Sequence, residues 1–252
     1  MADISKIVGV DIATIAKVNN IAIGDIGSIG GADIPSGFVP SGTPVGWWDA
    51  STISATDGDK IQTWLDLTVN GNNLLQPTES KRPTYKSGGA DLINGLTILR
   101  FVPTNAIRME PLAFILAQPC TIFVVVKPVA WAHGGSFIDG FTAVSALIAQ
   151  RTTTPNIALY GGSAYAATNT NCTTGSAHVI TARFDGASSF LRVDGANQTT
   201  GNPGSAAPNG LTVNGNQLNS GHTESDFCEI IVYNGSESVA TNEAGLMTKW
   251  GI

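Results

Sequence analysis

The sequence predicts an all-β protein: a two-sheet antiparallel jelly-roll sandwich with a short C-terminal helix, preceded by an extended repetitive N-terminal arm. Three observations carry this. Only 13% of the 252 residues are charged while 29 are glycine, the composition of short strands joined by many turns. After residue 45, β-branched and aromatic runs recur between Asn-Gly and Asp-Gly pairs, which supply the positive φ of tight reversals. A stripe at helical spacing closes the chain.

The arm comes first. Residues 4–12, 15–23 and 26–34 align with a period of eleven, with Ile4, Ile15 and Ile26 at the first position and Ile7, Val18 and Ile29 at the fourth. The sixth position holds Gly9, Asn20 or Gly31. Repeats of this kind cannot bury their apolar face alone. An eleven-residue period also suits a right-handed helical supercoil, but β-branched residues and Gly24, Gly27, Gly30 and Gly31 disfavour helix. Extended or β structure is expected, with a partner surface: other copies of this chain in a trimer, or a capsid or tail protein met by strand addition. Folding back on its own sandwich is the alternative. Residues 1–36 form this arm, Pro- and Gly-rich residues 37–44 a linker, and residues 45–252 the sandwich.

Trp47-Trp48-Asp49-Ala50-Ser51 and residues 58–66 read as the first two strands, with Trp48 and Trp64 as apolar anchors and Asn70-Gly71 as a reversal. Strand-like runs follow at 97–101, 120–129, 143–149, 177–184, 190–193 and 227–233, and Asp185-Gly186 and Asp194-Gly195 bracket the fifth of these. Val239, Leu246, Met247 and Trp250 form the helical stripe, and Gly251 is its stop.

Several functional classes are excluded. The net charge is −6 and the basic residues are scattered singly, so no stripe is available to neutralise phosphates and no nucleic-acid partner is expected. The longest uncharged apolar run, between Glu110 and Lys127, is broken by Pro111 and Pro119 and reads as a core strand, so no membrane insertion is expected. Asp3, Lys6 and Asp11 leave no apolar h-region, so no signal peptide is expected. Cys120, Cys172 and Cys228 are odd in number and lack Cys-x-x-Cys spacing, which argues against a zinc site or disulfide scaffold. Buried thiols in a reducing cytoplasm are the expectation, with one disulfide left open.

Trp48-Asp49-Ala50-Ser51, Lys81-Arg82-Pro83-Thr84-Tyr85 and Ile98-Leu99-Arg100-Phe101 resemble the first half of a laminin-G-like jelly roll. Residues 178–186, 190–195, 229–234 and 249–252 resemble its closing strands and helix. The chain is thus similar, over residues 45–252, to the concanavalin A-like lectin and glucanase superfamily. That resemblance implies a sandwich binding glycans or proteins through loops or a concave sheet, sometimes with calcium; fold alone does not fix the function.

Candidate chemistry follows. Glu224-Ser225-Asp226-Phe227-Cys228-Glu229 fits the Glu-x-Asp-x-x-Glu spacing of glucanases of the superfamily, with Glu224 as nucleophile, Asp226 as its tuner and Glu229 as acid/base. Ser225 and the position on the chain's last strand count against it. His133, His178 and His222 lack a nucleophile elbow. Asp66, Asn70, Asn72 and Asn73 offer oxygens for calcium, or else cap their own turn. Trp131, His133, Tyr160 and Tyr165 are the candidate glycan-stacking residues, with core packing as the alternative. A repetitive arm joined to a lectin-like sandwich is similar to the build of tailed-phage decoration and appendage proteins. The leading expectation is therefore a non-enzymatic virion structural protein, a capsid decoration or a fibre, displaying an adhesion domain. A free carbohydrate-binding module of a bacterial adhesin and a glucanase using Glu224 and Glu229 are the alternatives.

Overall fold

The computed structural model describes residues 38–142, 145–235 and 239–252, together with the paired residues of three short hairpins between residues 6 and 33. Contacts divide the chain into two compact units, Met1–Val39 and Pro40–Ile252. In the first unit β1 (Lys6–Ile7) pairs with β2 (Val10–Asp11), β3 (Lys17–Val18) with β4 (Ile21–Ala22), and β5 (Ser28–Ile29) with β6 (Ala32–Asp33), all antiparallel. Lys6, Lys17 and Ser28 hold the same pairing position, against Asp11, Ala22 and Asp33. Ile4, Ile15 and Ile26 lie outside the described residues.

The second unit begins with β7 (Gly46–Asp49), the ribbon strands β8 (Thr63–Trp64) and β9 (Leu74–Leu75), β10 (Thr84–Lys86), β11 (Ile98–Phe101) and β12 (Met109–Ala113). It continues through β13 (Cys120–Ala130), β14 (Ser136–Asp139), β15 (Leu147–Gln150), β16 (Ile157–Tyr160), β17 (Tyr165–Asn169) and β18 (His178–Phe184). β19 (Phe190–Val193), β20 (Ala196–Thr200), β21 (Gly210–Val213), β22 (Glu224–Asn234) and helix α1 (Val239–Trp250) complete it. One sheet has the order β10-β11-β22-β13-β18-β19-β20, with β7 also paired to β22; the other has the order β12-β21-β14-β15-β16-β17. Every pairing is antiparallel, which makes the two-sheet sandwich that the sequence predicts.

Alternation along the strands explains the core. On β13, Cys120, Ile122, Val124 and Val126 face the second sheet and join the main apolar cluster. Phe123 points the other way and meets the ring of Tyr233 edge-on, centroids 5.9 Å apart. Both faces of β13 are covered, so it reads as an unbroken apolar run rather than an alternating one. Phe227 lies between the sheets, 4.9 Å from Phe101 and 6.3 Å from Phe137.

Helix α1 covers the outer face of the first sheet. Its buried residues are Asn242, Glu243, Leu246 and Trp250, while Val239 and Met247 of the expected stripe are only half-buried. The physical reason is that the two polar residues have partners in the sheet. Asn242 donates to the Tyr233 hydroxyl (3.1 Å), and Glu243 accepts from Thr181 Oγ1 (2.7 Å) and pairs with Arg192 (3.1 Å). Burial is the main cause that holds the Glu243 carboxyl above the usual range, with Thr181 and Arg192 opposing it.

Two strand expectations shift. Of the run at 143–149, residues 143 and 144 lie outside the described residues and the strand β15 is Leu147–Gln150, because the buried Asp139 carboxylate accepts from the backbone N–H groups of Gly140, Ser145 and Ala146 and so holds Ser145 and Ala146 out of the ladder. The last strand starts at Glu224 rather than 227. Cys120, Cys172 and Cys228 are free buried thiols, which leaves the disulfide alternative without a pair. Among the described residues no helix is long and apolar enough to cross a membrane.

Candidate functional site

The most chemically distinctive surface is the outer face of β15, β16 and β17. Ile148 on β15 and Ile157 and Leu159 on β16 point into the core, so alternation turns Ala149 and the following Arg151, with Ala158 and Tyr160, to the outside. Tyr160 lies opposite Tyr165 across the β16–β17 turn. The two rings are 5.0 Å apart at 50°, and the Arg151 guanidinium sits 3.9 Å above the Tyr165 centroid. Beneath them Ala149 and Ala158 are buried, and Tyr165 remains 39% exposed. The floor is therefore small and apolar and the roof is aromatic, with a cation at one end.

Trp131 and His133 do not join this face. Trp131 is half-buried against the core and donates its indole N–H to the Thr152 carbonyl (2.5 Å), while His133 is exposed on the next turn. For Trp131 the core-packing alternative describes the geometry.

The glucanase constellation is corrected by the structure. Val125 pairs with Glu229 and Val126 with Phe227, so Cys228 is the extra residue of a β-bulge. The bulge puts Asp226 and Glu229, three residues apart, on the same outer face of the first sheet, under other side chains rather than in a cleft. Asp226 is fully buried in a fork to Arg100, with Nε at 2.7 Å and Nη2 at 2.9 Å. Glu229 accepts from Trp47 Nε1 (2.6 Å), Lys249 Nζ (2.7 Å) and Trp250 Nε1 (2.8 Å). Burial, then the Asp49 charge, holds its carboxyl above the usual range, and Lys249 opposes the shift. Glu224 stands at the strand's start, half-buried, with neither of the other carboxylates free to act with it. Asp226 thus ties β11 to β22, and Glu229 ties β7 and the helix to it.

The four calcium candidates come together in one loop and fasten it. The Asp66 carboxylate accepts from Trp47 N (3.0 Å), Thr68 N (2.9 Å), Thr68 Oγ1 (2.8 Å) and Asn72 N (2.8 Å). Asn73 Oδ1 accepts from Asp66 N (2.9 Å), and the amides of Asn70 and Asn72 donate to the Val45 carbonyl at 3.2 and 2.7 Å. Donors of the protein thus occupy Asp66 and Asn73, as the turn-capping alternative holds. Among the described residues no group of three His, Cys, Asp or Glu is placed to hold a metal ion. His178 has a structural partner too: Asp194 Oδ2 lies 2.8 Å from Nδ1, and Nε2 accepts from Thr173 N, so the ring clamps the Asp194-Gly195 hairpin.

Sequence reasoning missed a groove of about 980 Å³ lined by residues 52–55 and 58–63 with Leu65, Glu79 and Arg82. Its two cations are already engaged, Lys60 with Thr84 and Arg82 with Gln62 and the Gln76 and Pro77 carbonyls, and it has no aromatic ring.

No family model and no curated protein matches the chain. Among solved structures it is similar to domain 4 of AbnA, a GH43 extracellular arabinanase from Geobacillus stearothermophilus in complex with arabinotriose (TM-score 0.57, 12% identity, 82% of this chain and 98% of that one). It is also similar to an arabinofuranosidase complexed with arabinofuranosyl-alpha-1,2-xylobiose (TM-score 0.58, 12% identity, 76% of this chain and 51% of that one). A third is Trypanosoma rangeli sialidase in complex with a difluoro-KDN (TM-score 0.52, 13% identity, 88% and 34%). The chain spans about half of the arabinofuranosidase and about a third of the sialidase. At these identities the likeness establishes the fold: a β-sandwich of the kind found in chains of carbohydrate-active enzymes. These neighbours also correct the expectation of a non-enzymatic protein, because the similar solved structures are glycoside hydrolases or their domains.

Proposed function

We propose that the sandwich is a carbohydrate-binding module whose platform is the outer face of β15–β17. The observation that carries this is the exposed Tyr165 ring, held by Tyr160 on one side and Arg151 above, over a floor of alanines. A sugar ring has an apolar C–H face and a hydroxyl rim, and an immobilised tyrosine matches both with its ring and its phenol. A neighbour supports the reading, since the arabinanase domain, of which the match covers 98%, was solved with arabinotriose. Titration calorimetry of the full chain against arabinotriose, xylo-oligosaccharides, lactose and sialyllactose tests it. Saturable binding of at least one sugar is expected, and heats indistinguishable from dilution for all of them overturn it.

A second reading concerns presentation. Three hairpins in equivalent register favour an arm that assembles copies of the chain or docks it on a larger particle, as in a virion fibre or decoration protein bearing this module. Light scattering of the full chain beside a chain beginning at Pro44 tests self-assembly: a trimer or larger species that becomes a monomer on truncation supports it, and two monomers remove it.

A further inference from the structure

Resting on the carbohydrate-binding reading, we propose that the platform selects acidic sugars, with Arg151 receiving the carboxylate of a uronic or sialic acid residue that lies against the exposed side of the Tyr160–Tyr165 pair. The starting point is the state of the six arginines. Arg100, Arg108, Arg183 and Arg192 each pair with a carboxylate, and Arg82 donates to two backbone carbonyls and Gln62. Of these arginines Arg151 alone has no hydrogen-bond acceptor for its guanidinium among the described residues, and its guanidinium carbon sits 3.9 Å over the Tyr165 ring instead.

The cation–π contact holds the guanidinium in place without using its N–H groups, so a bidentate hydrogen bond to a planar carboxylate costs little further ordering. The part of Tyr165 that Arg151 and Tyr160 leave exposed, 39% of the residue, offers apolar surface to the sugar that carries the acid. Tyr160 backs Tyr165 at 5.0 Å and keeps that ring from turning away. A neutral sugar uses the ring but leaves the cation unmatched, so discrimination comes from the charge-assisted pair. The groove on the opposite part of the sequence, with its cations already engaged, has no equivalent donor.

The test is titration of the full chain with two matched pairs: 3′-sialyllactose against lactose, and trigalacturonate against its neutral methyl ester. In at least one pair the acidic member is expected to bind tenfold or more tightly at low salt, with the advantage shrinking as salt is raised. Arg151→Gln abolishes that preference while leaving weak neutral binding, and Arg151→Lys retains part of it. Equal affinity within both pairs, or a preference that survives Arg151→Gln, overturns the proposal. Neutral sugars binding while neither acid binds overturns it and leaves the module reading standing. Silence toward every sugar, arabinotriose included, removes both. Arg151 lies on the surface, and a circular dichroism melt confirms that each variant is folded.

Discussion

Replacing Lys249 by methionine tests whether the carboxylates once suited to catalysis serve instead to fasten the C-terminal helix. Lys249 Nζ lies 2.5 Å from Asp49 Oδ2 and 2.7 Å from Glu229 Oε2, and the side chains of all three are at most 9% exposed. Methionine keeps the stem's packing but leaves two buried carboxylates without their cation, a loss on the order of 3–5 kcal/mol. For a domain of this size each kcal/mol moves Tm by about 2–4 °C, so melting should fall by about 6–20 °C at pH 7. The pH dependence follows from Glu229, whose carboxyl burial and Asp49 already hold above the usual range. Lys249 opposes that shift, so its removal raises the carboxyl further. A folded-state value above the unfolded one means that the folded protein binds more protons in between. The stability this group contributes is then full below the unfolded value and is lost as pH rises through the folded one. The deficit of the variant should accordingly shrink between pH 7 and pH 5. Calorimetric melts of both proteins at the two pH values measure it. A loss under about 1 kcal/mol, or one identical at both pH values, would show that Lys249 does not hold these buried carboxylates, since buried unpaired charge predicts neither.

Two further outcomes are expected. Asp66→Ala removes the acceptor of four hydrogen bonds in the β8–β9 loop and should cost about 2–3 kcal/mol by chemical denaturation, with the same Tm in calcium and in EDTA; a calcium-dependent rise in the parent protein would reinstate a metal at this loop. Burial raises all three thiols, Cys120 to about 12, so alkylation of the native protein at pH 8 should be slow and all three should react only after unfolding; fast labelling of one thiol would show that it is not buried as described.

The long two-sided strands were legible in the sequence because burial on both faces makes them continuous. β13 and most of β22 stand out as Ile, Val and Phe runs, and α1 was bounded by its spacing and by Gly251. The Asp194-Gly195 hairpin was equally plain, and both residues have positive φ, 54° and 65°. The short strands β12, β14, β16, β17, β20 and β21 were not, since four or five residues broken by Gly, Pro or polar groups give too few periods to separate strand from loop. The same limit hid Arg151. Ending the run at residue 149 left Arg151 outside a strand, whereas extending the alternation by two positions puts it on the face with Ala149. The Glu-x-Asp-x-x-Glu spacing misled for a related reason. Which face carries Glu229 depends on the bulge at Cys228, and what lies over that face depends on how the following helix turns back across the sheet to bring Lys249 and Trp250 onto it.

Sugar binding is proposed on the Tyr160–Tyr165 face. The most direct measurement is the affinity of the tightest sugar found by calorimetry for the parent chain and for Tyr165→Ala, with Leu65→Ala in the groove as the control. Loss of a stacked ring should weaken binding at least tenfold in Tyr165→Ala and leave Leu65→Ala within twofold of the parent. Undiminished affinity in Tyr165→Ala, or a loss confined to Leu65→Ala, would contradict the claim and move the site to the groove.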